Sequence, residues 1–177
     1  LEAIDINLPN FNQFSLFEVA TIFTTRLKEI FDENEKLPYQ EKECCFAMVG
    51  EKGEDLFFRM KGMLESLSRG IMIEELSLKQ VEKPNYLDKY VWLNILLGDE
   101  VIGSFGILNQ QVKNLAGFKR GEVALGTLKM KALKALPSRE NKYEAQSHLP
   151  LIQYDLSIIF DDEVKWSEIK TIVEPVV

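Results

Sequence analysis

The sequence predicts an α+β fold, a mostly antiparallel β-sheet flanked by helices. Two runs rich in β-branched and aromatic residues, within Tyr90 to Leu108, meet at Gly98-Asp99-Glu100, a short polar connection that reads as a β-hairpin. Apolar residues occupy both faces of that strand pair, so it cannot stand alone in water and must be covered. Amphipathic stretches elsewhere, above all Leu56 to Leu67, are suited to cover it.

In chain order, Phe14 to Phe23 is β-prone and almost wholly apolar, with Glu18 its one charge, and is predicted to be a central strand covered on both faces. Thr25 to Lys36 is charged and precedes Pro38, the pattern of a surface excursion. Glu43 to Gly50 is a second strand, antiparallel to the first, and Gly50-Glu-Lys-Gly-Glu-Asp55 a polar turn. Leu56, Met60, Met63, Leu64 and Leu67 recur at helical spacing, with Asp55 as an N-cap or first-turn acid and Gly70 as the stop. The methionines read as core filler. Ile71 to Gln80 is predicted as a short strand, and Pro84-Asn85 breaks the pattern before the hairpin.

After the hairpin, Asn109 caps a short helix to Leu115 that ends at Gly117. Glu122 to Leu125 is a further strand, and Lys129 to Leu136 a helix ending before Pro137. Its lysines, Lys129, Lys131 and Lys134, are spread around the helix and read as solvation ahead of phosphate binding. Ser138 to Ser147 has the polarity of a linker; Pro150 to Phe160 is predicted as one more strand, Asp161-Asp162-Glu163 as a turn. Trp166, Ile169, Ile172 and Val173 then share one face of a helix.

Composition bounds the function. The 177 residues suit one ordinary domain or a domain plus an appendage, and 46% hydrophobic with 28% charged residues is the balance of a soluble globular protein. The net charge of −7 disfavours a phosphate-neutralising nucleic-acid binder. Cys44 and Cys45 are adjacent in a strand, where neighbours point to opposite faces, so they are expected to be buried, reduced, structural thiols of a cytosolic protein. The chain opens Leu1-Glu-Ala-Ile, with no secretory signal and no initiator methionine, as expected of an internal piece of a longer protein.

Catalytic patterns are sparse. The single histidine, His148, has no cysteine or carboxylate motif beside it and reads as a loop residue. Gly98, Gly103, Gly106, Gly117 and Gly121 form neither a Walker loop nor a dinucleotide fingerprint. Asp161-Asp162-Glu163 could attract a divalent ion, but a turn exposing acids at a strand end is the simpler reading.

Several segments together resemble the β subunit of bacterial phenylalanyl-tRNA synthetase. Leu16-Phe-Glu-Val-Ala20 is similar to the family's Leu-Phe-Glu-Ile-Gly strand, and Leu37-Pro38 with Glu41 follows. Phe57-Phe58-Arg-Met-Lys61-Gly62-Met-Leu-Glu65 is similar to its Phe-Phe-x-x-Lys-Gly-x-x-Glu helix. Gly98-Asp-Glu-Val-Ile-Gly103-Ser-Phe-Gly106-Ile-Leu is the strongest part, and Leu149-Pro150-Leu-Ile-Gln-Tyr-Asp155-Leu resembles the Phe-Pro-x-x-x-Arg-Asp-Leu that opens the anticodon-binding module. The order is the family's, across nearly the whole chain.

The resemblance implies a class II aminoacyl-tRNA synthetase-like catalytic domain over residues 1–140, its N-terminal motif 1 helix and strand missing. Residues 141–177 are then a linker and the truncated start of a ferredoxin-like anticodon-binding module. A class II active site needs arginines on the motif 2 strand and the motif 3 helix to hold the ATP phosphates. Phe14 to Phe23 carries none; Glu122 to Leu128 and its helix have neither an Arg nor a Gly-x-Gly-x-Gly lead-in. No catalytic, cofactor-binding or metal-ligating residue is therefore expected in this segment. By resemblance, ATP and Mg belong to the whole complex, bound by the catalytic α subunit, which is the expected partner in a cytoplasmic heterotetramer. Tyr154 stands where the family often has Arg, so tRNA contacts are expected to be weak or absent here, and no membrane partner is expected. The alternatives are a single-chain enzyme of the class II and biotin-ligase superfamily and a stand-alone protein-binding module.

Overall fold

The computed structural model describes residues 1–24, 38–73, 75–134, 155 and 157–173. Two compact units divide the chain, Leu1–Asn141 and Lys142–Val177. The first holds α1 (Glu2–Asn7), β1 (Phe14–Thr24), β2 (Tyr39–Gly50), α2 (Gly53–Gly70), β3 (Ser77–Lys79), β4 (Leu87–Leu97), β5 (Glu100–Leu108), α3 (Gln110–Leu115), β6 (Glu122–Lys129) and α4 (Met130–Lys134). The strands form one six-stranded sheet in the order β1-β2-β6-β5-β4-β3, with every neighbouring pair antiparallel. Among the described residues, no helix is long and apolar enough to cross a membrane.

Each sheet face is packed by its own cluster. On one face Leu56, Met60 and Leu64 of α2 lie against Phe46, Phe105, Ile107, Ala124 and Leu128. On the other, Ile4 and Leu8 of α1 join Ala47, Val49, Leu108, Phe118 and Val123. The centre of the α2 face is a row across three strands: Phe46 pairs with Gly126, and Gly126 with Phe105. A β-carbon on Gly126 would fall on the Phe46 ring and 2.8 Å from the Phe105 side chain, so only hydrogen fits between the two aromatics. Phe57 of α2 stacks on Phe105 at 5.2 Å between ring centroids.

The hairpin forms as expected, with Gly98 at φ +57°, a left-handed conformation that glycine adopts freely. Asn109 caps α3 by accepting from the Val112 amide at 2.8 Å, and donates to the Asn85 carbonyl at 2.7 Å, tying the helix to the loop before β4. Lys113 of α3 is buried, and its ammonium reaches both carboxylate oxygens of Glu122 at 2.8 and 2.9 Å.

Several expectations are corrected. Phe14 to Phe23 is not a central strand but the edge strand β1, and Phe17 is 79% exposed. An apolar run tells that a strand needs cover, not that its own chain supplies it. The strand expected over Ile71 to Gln80 contracts to Ser77–Lys79, because α2 runs to Gly70 with Ile71 as its C-cap and Met72 turns the chain with φ 56°. Asp55 takes the second of its two expected roles, a first-turn acid of α2, and the N-cap is Lys52, which makes no side-chain cap. Met63 is exposed rather than core. Cys44 and Cys45 are free but half-buried, not fully buried. Ser157 to Phe160 form no strand, and Ile159 is fully exposed: no described neighbour pairs with them. Lys129 closes β6 instead of opening the helix after it. Thr25 to Lys36, Ala135, Leu136, Ser138 to Ser147, His148 and Pro150 to Tyr154 lie outside the described residues. In the second unit, α5 (Trp166–Val173) forms where predicted, after a turn at Asp162-Glu163.

Gly126→Ala is expected to lower the unfolding free energy by about 1–3 kcal/mol, the usual cost of overpacking a filled core. Urea titration with an unchanged m-value would show it, and Phe46→Leu in the same chain should recover part of the loss.

Candidate functional site

β1 and β6 are the strands on which the resemblance would place the phosphate-binding apparatus, and the sheet inserts β2 between them. Residues paired across antiparallel strands share a face, so the register gives what each face presents. On the α1 face, beyond the apolar cluster, Glu18 pairs with Cys45, Cys45 with Thr127, Thr127 with Ser104, and Ser104 with Asn94. The next row is Ala20, Glu43 and Lys129, and Ile22 with Glu41 follows. On the α2 face, β1 presents Ser15, Phe17, Val19, Thr21 and Phe23. Where a class II site needs guanidinium groups, these strands offer Glu18, Glu41 and Glu43 with Lys129 on one side and mostly apolar side chains with Lys42 on the other.

The polar row differs from end to end. Asn94 is 2% exposed and bonded at both polar atoms: its Oδ1 accepts from the Val81 and Glu82 amides at 2.8 and 2.9 Å, and its Nδ2 donates to the Glu82 carbonyl at 3.0 Å. Ser104 shares a 3.2 Å hydrogen bond with the Tyr86 hydroxyl. That end is structural glue for the segment after β3. The far end is open and acidic, with Glu18 exposed and Glu41, Glu43 and Cys45 half-buried. A carboxylate about 4 Å from a phosphate repels it by about 1 kcal/mol in water and about 4 kcal/mol at an effective dielectric constant of about 20. Glu18, Glu41 and Glu43 would each oppose a phosphate here, and Lys129, exposed opposite Glu43, would offset part of that.

The thiols are not poised nucleophiles. Burial, then the Glu43 carboxylate, pushes the Cys44 thiol above its ordinary value. Burial, then Glu43, with Glu18 also contributing, does the same to Cys45. Each proton therefore stays on sulfur at neutral pH. Cys44 packs against the α2-side cluster while Cys45 faces the acidic row, so the two share no ligand. Among the described residues, no group of three or more His, Cys, Asp or Glu side chains is placed to hold a metal ion.

Among the remaining sequence candidates, Lys129 stands directly opposite Glu43 on this face. Lys129, Lys131 and Lys134 are exposed, as solvating residues are. Asp161, Asp162 and Glu163 are exposed at the turn in the second unit. Gly103 and Gly106 serve close packing: a β-carbon on either would strike backbone of the neighbouring strand, the Thr127 carbonyl for the first and the Val91 carbonyl for the second. Sequence reasoning misses Asn94 and Lys113. A lone Asn within an apolar strand is the available signal for the first; nothing local marks the second.

Alkylation of Cys45 by iodoacetamide is expected to lag behind a free thiol at pH 8 and to accelerate as pH rises further. Glu43→Gln should speed it. Peptide mapping of the labelled sites checks both, and wild-type reactivity equal to a free thiol would contradict this electrostatic picture.

Comparison with known proteins bears on the whole architecture. A family model described as the phenylalanyl tRNA synthetase beta chain CLM domain matches residues 1–130. The phenylalanine–tRNA ligase beta subunit of Fusobacterium nucleatum is 27% identical over 165 residues, covering 88% of this chain and 20% of that protein. That of Clostridium tetani is 25% identical over 175 residues, covering 98% of this chain and 21% of that protein. The chain thus spans about a fifth of the length of the curated relatives it matches. Pyrrolysyl-tRNA synthetase from Desulfitobacterium hafniense superimposes with a TM-score of 0.58 at 13% identity, over 75% of this chain and 45% of that one, a likeness of fold. With the sheet order, the hairpin glycines and the α2 helix in place, the chain belongs to the phenylalanyl-tRNA synthetase beta chain CLM domain family.

Proposed function

We propose that this chain is a non-catalytic structural part of the beta subunit of phenylalanine–tRNA ligase, which attaches phenylalanine to tRNA using ATP. In this reading it supports a catalytic α subunit within a cytoplasmic heterotetramer, and ATP and Mg bind on that partner. The observation that carries the reading is the excess of acid on the α1 face of β1, β2 and β6: Glu18, Glu41 and Glu43 stand against one cation, Lys129, where a phosphate clamp would need several. Adenylate formation concentrates negative charge on the phosphates, and stabilising it requires preorganised donors and cations. A single-chain class II enzyme would need a phosphate cradle that these strands do not offer.

The net charge of −7 argues in the same direction for RNA, since acidic surface opposes the counterion release that drives phosphate binding. We place tRNA contacts of this segment at weak or none, and read residues 141–177 as a linker and the start of an anticodon-binding module.

Phenylalanine-dependent ATP–pyrophosphate exchange tests the proposal. The chain alone should stay at background, while the assembled enzyme containing the catalytic subunit exchanges. Robust exchange by the chain alone would overturn the scaffold reading.

A further inference from the structure

We draw no further inference here: the strongest candidate, the apolar hollow between the first turns of α2 and the start of β4 that Phe57, Phe58, Val91 and Ile107 line beside Glu54 and Asp88, is an unpartnered surface, and nothing in the structure shows what covers it.

Discussion

The sheet depends on a contact that one hydrogen atom makes possible. Gly126 leaves room for Phe46 and Phe105 to close over β6 from the strands on either side, and Phe57 stacks on the second ring. This contact fixes β2, β6 and β5 as the rigid centre and sets where α2 must lie. It also determines what α2 cannot reach. The apolar row continues to Phe17, but the cover does not, so the edge strand keeps the composition of a core strand at a surface position. A long apolar edge is a liability for a chain on its own and an asset for one built to be packed against.

The two sheet faces divide the labour. The α2 face is mostly apolar through β2 and β1; the α1 face changes from an apolar cluster to a polar region closed at Asn94 and richer in acid at Glu18, Glu41 and Glu43, with Lys129 opposite Glu43. The fold is like that of pyrrolysyl-tRNA synthetase, while the α1 face of β1 and β2 presents Glu18, Glu41 and Glu43. Architecture and chemistry are separable because they rest on different residues: backbone pairing and Gly126 hold the sheet, whereas a clamp would sit on side chains that the sheet tolerates as glutamate.

Much of this is legible in the sequence. The hairpin, the α2 stripe, the Asn109 cap and the strand before α4 are each marked by local periodicity or turn chemistry, which act over a few residues. What is not legible is set by distant partners. Phe14 to Phe23 reads as central because apolar content reports a demand for cover and not its source. Ser157 to Phe160 reads as a strand because β-propensity is context-dependent and a strand also needs a partner. Lys113 has the look of an ordinary surface lysine until β6 brings Glu122 to it. The absence of arginine from Phe14 to Phe23 can be read directly, but the acidic row requires the register that sets Glu18, Cys45 and Thr127 side by side.

The scaffold reading proposes that the described strands form no nucleotide site. Titration of the isotope-labelled chain with ATP and Mg, followed by amide chemical shifts, tests it most directly. No saturable shifts are expected at millimolar nucleotide. A saturable response centred on β1, β2 and β6 would contradict the claim.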